Sequence, residues 1–259
     1  MNGGKYGFRA ALAAALGAML VTGSTVRSAE LRVLSAGAVT EAVNEIAERF
    51  HEEDGAVVAT TFGTVGMIED KLRQGTQADV VILSAPALEA QERAGKIVPG
   101  SRAELGRVGV GVAVREGAPR PDIATAESFK RAILAARSLV YADPAKGASS
   151  GIYFAELLGR LGIADAVKEK TTLLPGGYVV ELVAKGGAEI GVHQISEILP
   201  VKGVTLVGPL PPELQKYTVY AAGVTTDAAA PDRATALIKR LTGPAGRAIF
   251  THAGFEPPG

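Results

Sequence analysis

The chain has 259 residues, with 27 basic and 27 acidic side chains and a formal net charge of zero. That balance excludes the basic excess with which nucleic-acid binders hold phosphates, and the lack of cysteine excludes disulfides, thiolate metal sites and cysteine nucleophiles together. A hydrophobic content of 47% suffices for one or two substantial cores in a chain of this length.

The first thirty residues read as a targeting segment. Lys5 and Arg9 precede an apolar run over 10–21, and small and polar residues follow as far as Ser28. The run falls short of the ~20 residues that span a bilayer comfortably. A cleaved secretory signal over 1–28 therefore outweighs an uncleaved anchor. No cysteine follows it, which excludes a lipid anchor and makes the expected mature protein exported and periplasmic.

The mature chain then alternates. Residues 31–34 form a short apolar strand; Val39, Val43, Ile46 and Phe50 recur at helical spacing, and Gly55 marks the end. A strand over 57–62 runs into a glycine-flanked turn, and a helix with Ile68 and Leu72 inward stops at Gly75. "ADVVILSAP" is a third strand, with Pro86 placed to open the next helix. "RVGVGVAVREG" is apolar on both faces, as a strand in the middle of a covered sheet should be.

Beyond it the pattern predicts a helix over 128–136, a strand over 139–142, a helix opening near Ser150, a helix over 179–185 and a strand over 189–193. "VTLVGPLPPELQKYTVYAAGVTT" reads as strand, proline-rich turn and strand, and helices over 232–241 and 244–252 follow. This alternation predicts an α/β protein with mixed sheets covered by helices on both faces. The strand number exceeds what one small sheet needs. Two lobes, 29–111 plus 219–259 and 112–218, joined by the strands near Val110 and Val219, are the economical arrangement.

Three strand-to-helix turns carry small or hydroxyl residues where backbone amides point outward. They are "SAGAVT", with Gly37, Ala38 and Val39; "FGTVGM", with Thr64, Val65 and Gly66; and "KGASSGIY", with Ser149, Ser150 and Gly151, Tyr153 lying one turn further in. Helix N-termini present unpaired N–H groups and about half a positive charge, so each turn is a candidate anion contact. Ser150 could equally be a helix cap. Ser84 ends a strand as a cleft contact or a cap, and His193 and Gln194 end another, where His193 is either a titrating site residue or a satisfied core histidine. His51 and His252 lie in charged helical surroundings and read as solvated. Three scattered histidines do not make a zinc site, and no nucleophile elbow, phosphate loop or dinucleotide fingerprint is present. No metal or cofactor is expected.

In order and spacing, "VLSAGAVTEAVNEIAERF", "GTQADVVILSA", "ADPAKGASSGIYFAELL", "AEIGV" and "TGPAGRAIFTHAGF" resemble the periplasmic molybdate-type substrate-binding proteins of ABC transporters over the whole mature chain. The resemblance implies a type II two-lobed fold, a ligand cleft between the lobes, closure by hinge motion and a transporter permease as partner. Molybdate binders of this type hold the oxyanion through two serine hydroxyls, a tyrosine hydroxyl and backbone amides. The matching serine positions are Ala38 and Val65 and the matching tyrosine is Gln194, while the backbone-only positions fall at Ser150 and Gly176, with Gly177 beside it. Each lost bond to an ionised ligand costs roughly 1.5–3 kcal/mol, so tight molybdate binding would need Thr64, Ser35 or Ser149 to substitute.

"SRAELGRVGVGVAVREGAPRPDI", "AEIGVHQISEILPVKGVTLVG" and "YTVYAAG" further resemble the branch that includes periplasmic aconitate isomerase. A cis/trans proton shift needs anion clamps and one base. The turn amides with Lys146 or Arg115 could clamp, and His193 or Glu181 could be the base. The sequence thus favours a monomeric solute-binding protein for a small anion, organic rather than molybdate. The alternatives are an isomerase on the same scaffold and a true molybdate or tungstate binder.

Overall fold

The computed structural model describes residue 1 and residues 30–259, and the expected signal segment lies outside the described residues. Nine strands carry the fold: β1 Leu31–Ala36, β2 Val58–Gly63, β3 Val80–Ser84, β4 Ala103–Arg115, β5 Leu139–Ala142, β6 Thr171–Leu174, β7 Ile190–Gln194, β8 Val204–Pro209 and β9 Tyr217–Val224. The helices are α1 Thr40–Asp54, α2 Val65–Arg73, α3 Ala85–Arg93, α4 Ala126–Ala135, α5 Ser149–Arg160, α6 Ala164–Lys168, α7 Glu181–Ala184, α8 Ile195–Ile198, α9 Pro231–Thr242 and α10 Pro244–His252.

The strand order is β2-β1-β3-β9-β4-β7-β5-β6, with β8 on β4 outside this path. Neighbours β1–β2, β1–β3, β5–β6 and β5–β7 run parallel, while β3–β9, β4–β9, β4–β7 and β4–β8 run antiparallel. The long strand β4 explains the two lobes. Up to Gly109 it pairs with β9, and from Val110 it pairs with β7 and β8. Its unbroken Val/Gly/Ala run suits a strand covered on both faces in turn.

Alternation within each strand divides the core by face. Leu31, Val33, Val80 and Ile82 pack with Phe50, Leu241 and Phe250 under α1 and α9, while Leu34, Val81 and Leu83 pack with Ile68 and Leu88 on the opposite side. In the second lobe Leu139 and Tyr141 join Phe129 and Phe154, whereas Val140 and Ala142 join Val180 and Val183. A period of two with both phases apolar is what a sheet sandwiched by helices requires.

Three short elements escape the sequence periodicity: β6, α6 and α8. The helix expected over 179–185 is Glu181–Ala184, and Gly177 and Gly186, at positive φ, bound the segment on either side. No helix among the described residues is long and apolar enough to cross a membrane.

Candidate functional site

Strand ends of both lobes converge on a cavity of about 240 Å³. Its first wall comes from β1 and β2. Beyond Ala36 the chain makes a 3-10 turn, Gly37–Val39, before α1, and the Thr40 hydroxyl donates to the Gly37 carbonyl at 2.7 Å. Beyond Gly63, Thr64 caps α2 by accepting from the Met67 amide at 3.1 Å. Gly37, Ala38, Thr40, Phe62, Thr64 and Val65 line the cavity from this side. What they offer is mostly methyl groups and the uncapped amides of the 37–39 turn, since the Gly66 and Met67 amides of α2 are bonded to Gly147 and Thr64.

The opposite wall carries the side-chain chemistry. Helix α5 starts at Ser149 behind Ala148, which supplies no side-chain cap, so its leading N–H groups stay open toward the cavity. Ser150 is therefore not the cap: it lies inside the helix with its hydroxyl 3.0 Å from His193 Nδ1. His193 Nε2 stands 2.9 Å from the Gly177 carbonyl, an acceptor only, which fixes a proton on Nε2. Glu197, one turn into α8, brings Oε1 to 3.4 Å from the same nitrogen, and the two side chains are only 3% and 9% exposed. Gln194 donates from Nε2 to the Tyr220 hydroxyl at 2.9 Å, and Ser149, Gly176 and Tyr178 complete the lining. Among the described residues lining the cavity there is no lysine or arginine, and none of the described residues forms a cluster fit for a metal ion.

The electrostatics follow from burial and from Glu197. Burial alone opposes a charged His193, but the Glu197 carboxylate and the Gly177 carbonyl outweigh it and hold the imidazole above its ordinary range. Tyr220 and Tyr178 are both pushed up, by burial first and then by the Glu197 charge on Tyr220 and by Glu41 and Glu197 on Tyr178, so both remain neutral hydroxyls. A protonated His193 donates from Nδ1 to Ser150 Oγ, which leaves the Ser150 O–H free to donate into the cavity.

The walls also touch each other. The Thr64 hydroxyl donates to the Lys146 carbonyl, the Gly66 amide donates to the Gly147 carbonyl at 3.2 Å, and the Tyr178 hydroxyl donates to Glu41 Oε1 at 2.5 Å. A Cβ on Gly66 would come within 2.9 Å of Gly147 Cα. Gly66 is thus a contact between walls and does not line the cavity. Gly151 is structural as well: a Cβ there would sit 2.0 Å from the Ala142 carbonyl, so only glycine lets α5 seat on the end of β5.

Other sequence candidates fall elsewhere. Val39 is a core residue at 1% exposure, and Ser84 ends β3 without capping α3 or reaching the cavity. Glu181 pairs with Lys185 at 2.8 Å on an exposed surface, away from the cavity lining. The Ser35 hydroxyl is spent on the Ala36 carbonyl, and Thr64 is spent on Lys146 and Met67. Tyr153 is buried in the second lobe's core and gives its hydroxyl to the Leu214 carbonyl at 2.5 Å. Lys146 and Arg115 do not line the cavity. His193, Gln194, Gly37, Ala38, Thr64, Val65, Ser149, Ser150, Gly176 and Gly177 are brought together around it. Sequence reasoning missed Glu197, Tyr220, Thr40 and Tyr178. The signal for Glu197 was its spacing of four from His193 across a strand-to-helix turn.

Two lobes with strand ends facing one cavity define the two-lobed fold of periplasmic binding proteins. The periplasmic molybdate-binding protein of Azotobacter vinelandii superposes with a TM-score of 0.73 at 20% identity, over 88% of this chain and all of that one. The family model for bacterial extracellular solute-binding proteins matches residues 31–256, and the chain belongs to that family. Among curated relatives, an aconitate isomerase from a Pseudomonas species is 31% identical over 253 residues, 94% of this chain and 95% of that protein. The molybdate-binding protein ModA of Azotobacter vinelandii is 28% identical over 252 residues, 94% and 96% of the two chains.

Proposed function

We propose that this is an exported solute-binding protein whose lobes, 29–111 plus 219–259 and 112–218, close on a small organic carboxylate, with an ABC transporter permease as its membrane partner. The observation that carries the reading is the cavity itself. The leading amides of α5 and of the 37–39 turn have no side-chain cap, the cavity holds no lysine or arginine among the described lining residues, and its 240 Å³ equal about eight liquid-water shares. A tetrahedral oxyanion, with four oxygens around one centre, would leave much of that unfilled. The hydroxyls available to it are few, because Thr64 and Thr40 are already committed to carbonyls. Ser149, Ser150 and the amides suit the flat oxygens of carboxylates spread along a carbon chain. The export expected from the sequence agrees with a family of extracellular proteins.

A second reading is favoured by one feature that binding alone does not need. A buried carboxylate in an anion cavity costs affinity, yet Glu197 lines this one beside His193. A carboxylate held next to an imidazolium is equipment for moving a proton. With an aconitate isomerase among the relatives, the reading is a cis/trans isomerase of aconitate acting by a proton shift.

Proton NMR of the chain freed of carried-over ligand, with trans-aconitate in excess, tests both. Saturation transfer to aconitate without new signals supports the binding protein alone. New cis-aconitate signals absent from a boiled control support the isomerase. No transfer and no turnover would reject both readings.

A further inference from the structure

We propose that Glu197 is the group that carries the proton and that His193 is its positioning residue; the proposal rests on the isomerase reading of the cavity. His193 looks like the natural base, but its ring has no free lone pair. Nε2 carries a proton given to the Gly177 carbonyl at 2.9 Å, and Nδ1 is engaged by Ser150 Oγ at 3.0 Å. Glu197 stands one turn further, lines the cavity, and is 9% exposed at its side chain. Space is reserved for its carboxylate: a Cβ on Gly37 would lie 3.2 Å from Oε1, although Gly37 is not among the positive-φ glycines. The missing side chain there makes room for a group, not for a turn.

The chemistry balances without a co-reactant. A Glu197 oxygen forms an O–H bond with a proton of the allylic methylene, and the C–H electron pair joins the neighbouring double bond in an anion spread over three carbons and the flanking carboxylates. The same O–H returns its proton to the far carbon of that unit. The double bond moves by one position, its geometry set by rotation before the return, and the Glu197 carboxylate is restored. His193 acts through Glu197: its imidazolium, 3.4 Å from Oε1, holds the carboxylate in place and favours its ionised, proton-accepting form. The outward Ser150 hydroxyl and the α5 amides hold a ligand carboxylate meanwhile.

The test compares the whole wild-type chain with Glu197→Gln, Glu197→Asp and His193→Gln. Turnover of trans-aconitate and washout of its methylene protons, replaced by solvent deuterium, are followed by NMR in D₂O, and binding of the saturated propane-1,2,3-tricarboxylate is followed by calorimetry. Glu197→Gln should cut turnover and washout about a thousandfold while still binding the saturated tricarboxylate. Glu197→Asp, which keeps a carboxylate if the Gln variant fails to fold, should lose between about tenfold and a hundredfold. His193→Gln should abolish the alkaline fall of the pH–rate profile, a readout that loss of packing would not produce. The titratable groups facing His193 are Glu197, Tyr178 and Tyr220, with Glu41 behind Tyr178. Wild-type turnover with Glu197→Gln keeping more than a tenth of it would overturn the assignment and leave the isomerase reading standing. An alkaline limb unchanged in His193→Gln would overturn the positioning role. A wild type with neither turnover nor washout would overturn reading and assignment together.

Discussion

The two walls of the cavity are built from different material. The wall from 36–40 and 62–65 presents backbone amides, the methyl groups of Ala38 and Val65, and Thr40 and Thr64 hydroxyls already given to carbonyls, with the Tyr220 hydroxyl beside it, whereas the wall from 148–150, 176–178 and 193–197 presents serine hydroxyls, an imidazole, an amide and a carboxylate. Backbone amides serve any anion of the right size, because their geometry belongs to helix termini and not to particular residues. Side chains choose. On the proposed reading, selectivity and any chemistry reside mainly on the second wall, and the first provides general attraction and closure.

The largest break in that contrast should come from Gly151→Ala. The new Cβ would meet the Ala142 carbonyl at 2.0 Å, so α5 must lift from β5, costing about 3 kcal/mol of stability as severe overpacking does. Denaturant unfolding of the variant checks it, and the ligand affinity should fall with the displaced amides. Next comes Ser150→Ala, which removes one hydroxyl on the reactive wall without touching an amide. Calorimetry should show affinity for trans-aconitate weakened by roughly 1.5–3 kcal/mol, the worth of a hydrogen bond to an ionised group.

The pH dependence should be smaller, because it redirects that bond instead of removing it. With burial outweighed by Glu197 and the Gly177 carbonyl, His193 in the fold holds its proton above the ordinary histidine range. Its contribution is fully present below the unfolded histidine pKa and is lost as pH rises through the raised folded value. In the same window the Ser150 O–H swings back toward Nδ1, so affinity should decline by no more than about tenfold, or one hydrogen bond. Titrations at several pH values would show the decline, and Ser150→Ala should flatten it.

Contact between the walls is worth less again. Thr64→Val removes the α2 cap and the bond to the Lys146 carbonyl, about 1 kcal/mol by analogy with other caps. It should weaken every ligand by a similar factor in parallel titrations. The smallest effect belongs to Glu181→Gln, which loses only an exposed pair with Lys185, at most about 0.5 kcal/mol. Thermal melting and affinity should both stay at wild-type values.

The same contrast explains what could be read from the sequence. Strands such as β3 and β5 are apolar in both phases, and that pattern alone announces a sheet covered on two faces. The three turns were legible because glycine, serine and threonine after such strands mark helix N-termini. Edge strand β6, half exposed with Leu173 facing solvent, carries no alternation to detect, and α6 and α8 are shorter than two turns. Glu197 was hidden for the opposite reason: an acid in "HQISEIL" looks like a solvated helix face until the fold buries it against His193 and Gly37. Tyr153 lies one turn into α5, as the sequence places it, with its ring in the core of the second lobe.

The most direct test of the central claim is calorimetric titration of the ligand-free chain with trans-aconitate and, separately, with molybdate. A cavity with amides on both walls and selective side chains on one should give saturable one-to-one binding of the tricarboxylate and no saturable heat with molybdate. Saturable molybdate binding with no response to aconitate would contradict it, and would mean that the amide wall, and not the side-chain wall, selects the ligand.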